Sequence, residues 1–165
     1  MQELWDLYDR ERKKIGRLHT RGIPLETGTY HIVVNVWIVN SNNEILVTQR
    51  HPDKELWGGF WECSASGAVI AGEDSLQGAI RETKEEIGID LLPSEAVLIE
   101  TLIRKDDIRD TYLFKKDIVL EDLVFHPDEV VDAKWVSKVE YDLLCSNDLM
   151  APPVKDFWQL ASKYL

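Results

Sequence analysis

A chain of 165 residues that is 44% hydrophobic and carries six tryptophans has the size and apolar content for one domain with its own core, which argues against disorder. Its formal net charge of −11 argues against a nucleic-acid backbone as the main partner, because that role needs clustered Lys and Arg. Small phosphates stay open, since a metal ion supplies positive charge locally.

Cys63 and Cys145 form neither a metal-type pair nor a disulfide framework, and two free thiols fit a reducing cytosol. Residues 1–14 lack the apolar stretch of a signal peptide, and no apolar run reaches the length of a membrane span. The expected location is therefore cytoplasmic, with no membrane partner. No repeat or low-complexity tract interrupts the chain.

In chain order, residues 4–22 read as two short strands around the charged turn DRERKK, a hairpin-like extension within residues 1–28. Arg21-Gly22-Ile23-Pro24 punctuates its end. His19, near a strand end, reads either as a ligand or as an ordinary histidine. Residues 30–39, YHIVVNVWIV, are nearly all β-branched or aromatic and predict a central strand. Asn40-Ser41-Asn42-Asn43 is a turn, and residues 44–49 return as the second strand of a hairpin. Trp57-Gly58-Gly59-Phe60-Trp61 is a glycine turn between aromatics that either pack locally or stack on a substrate ring. Residues 62–66 form a short strand.

Residues 67–89, GAVIAGEDSLQGAIRETKEEIGI, read as a short loop running into an amphipathic helix. Ser75 or Asp74 caps its start and Gly88 its end. Leu76, Ala79, Ile80, Thr83 and Ile87 make one buried stripe at helical spacing. Glu82, Glu85 and Glu86 share the other side at i, i+3 and i+4. Like charges so placed destabilise a helix by about a few tenths of a kcal/mol per pair. Either the face is simply solvated, or a divalent cation removes the conflict, since hard oxygen ligands are what magnesium prefers.

Beyond the helix, residues 95–104 predict a strand, 106–110 an acidic loop and 111–120 another strand. A turn at 128 leads into a strand ending at Val136, and residues 139–146 predict a helix. Ala151-Pro152-Pro153 breaks the chain before a closing helix over 154–165, with Phe157, Leu160, Ala161 and Tyr164 inward. Strands, a helix, strands, then helices point to a single α/β domain in which helices sandwich a mixed sheet.

Gly67, Glu73, Arg81-Glu82, Glu85-Glu86, Gly88 and Ile89 resemble the Nudix box of the diphosphate hydrolases, G-x5-E-x7-R-E-U-x-E-E-x-G-U with U bulky and aliphatic. All seven fixed identities match. The first U is Thr83, a departure that falls on the buried stripe. Seven chance identities at fixed spacing have odds near ~10⁻⁷ per start. The resemblance implies an α/β/α sandwich and cleavage of a phosphoanhydride in a small-molecule diphosphate, usually a nucleoside diphosphate linked to another group. Carried over by position, Glu82, Glu85 and Glu86 would hold Mg2+ or Mn2+, with the backbone carbonyl of Gly67 or Ala68 as a further ligand. Arg81 would orient Glu82 and its neighbours, and Glu73 would be a structural acid at the loop–helix junction. Many such enzymes draw one more carboxylate from outside the box. Glu129, ahead of a Trp135-Val136 strand, is the first candidate for a ligand or general base, against the plain reading of an exposed turn Glu. Asp110 is the second. Dimerisation is common in relatives, so a homodimer is a candidate state, although the sequence shows no self-complementary patch.

Upstream, EILVTQRHPDKELWGGFWECSASG is similar to a region of the isopentenyl-diphosphate isomerases. That makes Arg50 and Lys54 candidates for gripping a diphosphate, beside the plain reading of surface charge. The isomerase chemistry does not carry over. Ser66 stands where those enzymes place a Cys, Ala68 where they place a His ligand, and Cys63 is offset to the opposite strand face. The resemblance therefore implies a Nudix hydrolase of the isomerase-like subgroup. Isomerase activity and a non-catalytic binding module are the alternatives.

Overall fold

The structure, a computed structural model, describes residues 2–165. Strands β1 (Leu4–Tyr8) and β2 (Lys14–Thr20) form a separate antiparallel hairpin. Its turn places Arg12 in the left-handed region at φ 61°. The main sheet is built from β3 (His31–Val39), β4 (Ile45–Arg50), β5 (Trp61–Glu62), β6 (Ala65–Ala68), β7 (Ala96–Ile103), β8 (Asp107–Lys115) and β9 (Val130–Val136). The helices are α1 (Ser75–Ile87), α2 (Lys138–Ser146) and the short α3 (Phe157–Ala161).

The sheet is mixed. β3 runs parallel to β8 from His31↔Asp107 to Val39↔Lys115, and antiparallel to β4 at one end and β6 at the other. β4 carries β5 and β9, and β7 closes the far edge against β8. Both faces are covered, which is why β3 is a nearly continuous apolar run rather than an alternating one. Ile32, Val34, Val36 and Ile38 pack with Ala79 and Ile87 of α1. Trp37 and Val39 pack with Tyr141 and Leu144 of α2 and Phe157 and Ala161 of α3. Trp37 and Phe157 stack with centroids 4.1 Å apart. This is the α/β/α sandwich with a mixed sheet that the sequence implies.

Three expectations need correction. Gly67 and Ala68 lie on β6, paired with Val34 and Val33, rather than in a loop. Residues 107–110 are strand, not an acidic loop. Their charges masked a strand alternation in which Ile108 is buried in the core and Asp110 is neutralised by Arg12. The closing helix is only α3 after a 3-10 turn at Pro152–Val154, although Phe157 and Ala161 do point inward.

Candidate active site

Helix α1 is fixed at both ends. Asp74 is the N-cap, accepting from the Gln77 backbone N–H at 2.8 Å while Gln77 Oε1 accepts from the Asp74 N–H at 2.8 Å. Gly88 ends the helix at φ 77°, donating to the Lys84 carbonyl. Thr83 is fully buried and its hydroxyl donates to the Ala79 carbonyl at 2.8 Å, so the helix itself absorbs the polar group at that apolar position.

β6 crosses α1 closely. A Cβ at Gly67 would lie 2.1 Å from Glu82 Cδ and 2.4 Å from both its oxygens, so only glycine leaves room for that carboxylate. Arg81 ties the surroundings together. Its Nη1 donates to Glu82 Oε1 at 2.8 Å and Glu85 Oε2 at 3.0 Å, its Nε to both Glu73 oxygens, and its Nη2 to the Ala68 carbonyl at 2.9 Å. One guanidinium thus joins three carboxylates to the sheet.

Glu86 is only 6% exposed and accepts from the Ser66 N–H at 3.2 Å. Burial, then the neighbouring Glu62 and Glu82, push its carboxyl well above the usual range. Glu82 is pushed up to about 7, above all by burial and against the pull of Arg81. Burial thus disfavours the charged form of both carboxyls, and Arg81 offsets that only in part at Glu82.

Glu82, Glu85, Glu86, Arg81 and Gly67 line one cleft of about 240 Å³ together with Glu129. Glu129 is held by Lys54, whose Nζ donates to Oε2 at 2.5 Å. Three more lining residues, Glu3, Arg21 and His126, went unnoticed in the sequence. Arg21 Nη1 pairs with Glu3 Oε2 at 2.8 Å, and both stand at the ends of the hairpin, which only the fold brings to the cleft. His126 is three residues before Glu129, and its N–H donates to the Glu86 carbonyl at 2.9 Å, which fixes this loop on the end of α1.

Arg50 and Lys54 stand beside the cleft rather than lining it. Arg50 Nη1 pairs with the buried Glu62 at 2.7 Å. Asp110 lies elsewhere, completely buried, with Arg12 and Thr101 as partners, which removes it as a further site carboxylate. Cys63 is likewise fully buried, its thiol against the Ala65 carbonyl in the core beneath α2 and α3.

Among the described residues no three His, Cys, Asp or Glu side chains already converge on a metal position. Arg81 holds Glu82 and Glu85 apart from such a cluster. The donors nevertheless suit Mg2+ or Mn2+. They are hard oxygens, the missing Cβ of Gly67 leaves room for the Glu82 carboxylate beside the strand, and burial disfavours charge on Glu82 and Glu86, a cost that a bound cation would offset. Glu85, with its side chain 56% exposed, has freedom to turn inward.

A mixed sheet between helices, with an acidic helix facing a glycine-bearing strand across a cleft, defines a Nudix-type hydrolase domain. The family profile for the NUDIX domain matches residues 29–157. The chain belongs to the Nudix hydrolase family, and its activity class is that of the Nudix pyrophosphohydrolases. It is 36% identical over 150 residues to the uncharacterized Nudix hydrolase lmo0368 of Listeria monocytogenes, covering 91% of this chain and 89% of that protein. An isopentenyl-diphosphate Delta-isomerase of Shigella flexneri is 27% identical over 72% of this chain and 73% of its own. The crystal structure of DR0079 from Deinococcus radiodurans has the same fold, with a TM-score of 0.74 over 98% of both chains at 19% identity.

Proposed function

We propose that this protein hydrolyses the phosphoanhydride bond of a small organic diphosphate, such as a nucleoside diphosphate linked to a further group, using Mg2+ or Mn2+. The observation that carries the reading is the gathering of the buried Glu82 and Glu86 with Glu85 and Glu129 around one cleft. Glu82, Glu85, Glu86 and the Gly67 carbonyl would hold the ion. Bound there, it neutralises phosphate oxygens and makes water a stronger nucleophile. Arg81 positions Glu82 and Glu85 through its paired hydrogen bonds. The Ser66 N–H fixes one oxygen of Glu86. Glu129 serves as a further ligand or as the base that takes a proton from the attacking water, with Lys54 steering its carboxylate. Lys54 and Arg50 are the candidates for gripping the diphosphate, each by exchanging its present carboxylate partner for phosphate oxygens. The two unpaired thiols, Cys63 and Cys145, fit a cytosolic location.

Isomerisation of isopentenyl diphosphate is the alternative. It needs an acid–base thiol at the site, and here Ser66 takes that position while Cys63 is sealed in the opposite core. The test is a magnesium-dependent screen of diphosphate compounds that includes isopentenyl diphosphate, with products and isomers both analysed. Cleavage of one group of compounds supports the proposal. Isomer formation without cleavage overturns it, and metal binding with no turnover of any compound supports a binding module instead.

A further inference from the structure

The main sheet ends at β7, which pairs with β8 on one side and with no strand on the other among the described residues. An unpaired edge presents a row of backbone N–H and C=O groups, and proteins blunt such edges with charge, proline or brevity. The opposite end of the sheet follows that rule. There β5 has two residues, and β9 carries Asp132 and Lys134. In contrast β7, AVLIETLI, runs for eight residues without a Lys, Arg or Pro.

Its side chains are those of an interior strand. A bulge at Ile99 shifts the register between Leu98 and Glu100. Leu98 therefore lies beside Tyr112 and Ile103 beside Ile108, on the α1 face. Val97 lies beside Leu113 and Leu102 beside Arg109, on the α3 face. The exposure of these four aliphatic residues runs from 40% at Val97 to 47% at Leu98 and Ile103. Large aliphatics on both faces are the pattern of a strand that is covered on both faces and paired on both edges. The bulge breaks the alternation, which hides this patch in the linear sequence.

We propose that β7 is the interface of a homodimer, in which β7 of a second copy pairs with it antiparallel about a two-fold axis and joins the two sheets. Antiparallel pairing of a strand with its own copy is self-complementary and closes after two subunits. One register suits the side chains. It sets Val97 opposite the partner's Leu102, Ala96 opposite the partner's Ile103, Leu98 opposite the partner's Thr101 and Ile99 opposite the partner's Glu100. Each face then continues into the same face of the other copy, in spite of the bulge, and the two Glu100 carboxylates avoid direct opposition. A shift of one residue would set α3-face side chains against the α1 face. Just beyond the strand, the same register brings Glu95 opposite the partner's Arg104, and by symmetry Arg104 opposite the partner's Glu95. Opposite charges directly across a ladder stabilise it and like charges destabilise it.

The exposed aliphatic flanks, the strand backbone and the two Glu95–Arg104 pairs would bury on the order of 1,000 Å² over both copies, the lower limit for a specific interface. The dimer is therefore reversible, with a dissociation constant on the order of micromolar. β7 does not line the acidic cleft, so the proposal stands independently of the hydrolase reading.

The test is sedimentation velocity on the whole protein, from below to well above micromolar concentration. We expect the sedimentation coefficient to rise with concentration to that of a dimer and no further. Leu102→Lys puts a charge on the seam and should weaken association by about a hundredfold, with an unchanged circular dichroism spectrum showing that it folds. Glu95→Arg and Arg104→Glu should each weaken association by about tenfold, because the two-fold axis repeats each like-charge contact, and the double variant should recover it. A monomer at every concentration overturns the proposal, as does a dimer that Leu102→Lys leaves intact. So does a double variant as weak as the single ones, or growth beyond the dimer.

Discussion

Arg12 and Asp110 are 98 residues apart in the chain and directly joined in space, with Arg12 Nη1 donating to Asp110 Oδ1 at 2.7 Å. The pair pins the hairpin turn to β8, and the ends of the same hairpin carry Glu3 and Arg21 to the cleft. Its two ends are unequal. The Asp110 side chain is 0% exposed and that of Arg12 is 36% exposed. Removing the arginine therefore strands a buried carboxylate, whereas removing the carboxylate lets the arginine turn to water. Arg12→Ala should cost about 3 kcal/mol and Asp110→Asn clearly less, read from urea unfolding midpoints. The reverse order would show that the turn is held by something other than this pair.

His31 makes stability depend on pH. Burial first, then His19, hold its folded pKa at about 4, below the ordinary 6.5. As pH falls through 6.5 the unfolded chain takes up a proton that the folded chain refuses, so stability present above 6.5 is lost on the way down to about 4. The full effect is at most about 3 kcal/mol. Thermal midpoints measured from pH 7 to 5 should fall more steeply for the wild type than for His31→Gln. Parallel curves would mean that the imidazole reaches solvent in the folded state.

Asp110 and His31 also show where the sequence stopped being legible. The helical part of the box could be read directly, because spacing along a helix determines position, whereas Gly67, expected in a loop, lies on β6. The Asp106–Asp110 stretch could not, since a strand carrying Asp, Arg and Asp is recognisable only once Arg12 and the neighbouring β3 are known. Glu3, Arg21 and His126 reach the site through hairpin docking and loop contacts that no local pattern encodes. Glu86 was legible as acidic but not as buried. Its position among the helix carboxylates hid the fact that β6 covers it.

That burial separates activity from stability at Glu86. Its carboxylate sits close to Glu62 and Glu82 with one backbone N–H as its polar partner. Glu86→Gln preserves shape and removes a buried like charge. Magnesium-dependent turnover should drop about a hundredfold or more while the thermal midpoint stays level or rises. Full activity at saturating magnesium would remove Glu86 from the ion's ligand set.

Gly67→Ala should show the same separation by a steric route. The new methyl would overlap the Glu82 carboxylate, the movable end of a flexible side chain rather than backbone. Glu82 can swing aside at small cost to folding, but it then leaves the position Arg81 gives it. We expect turnover to fall about tenfold or more with an unfolding midpoint near that of the wild type. Retained turnover would mean that the carboxylate works equally well from a displaced position.

The Lys54–Glu129 pair decides between two roles for the lysine. If Lys54 acts mainly by steering Glu129, the two side chains form one unit, and their effects on turnover will not add. Lys54→Ala, Glu129→Ala and the double variant give the cycle. The geometry predicts that kcat falls in each single variant and that the double variant is scarcely worse than Glu129→Ala alone, because Nζ and Oε2 are in direct contact at 2.5 Å. A lysine that gripped the diphosphate independently would instead raise KM, and its loss would multiply with that of Glu129. Additive losses carried in KM would therefore assign Lys54 to the substrate, and a saturated cycle carried in kcat assigns it to the positioning of Glu129.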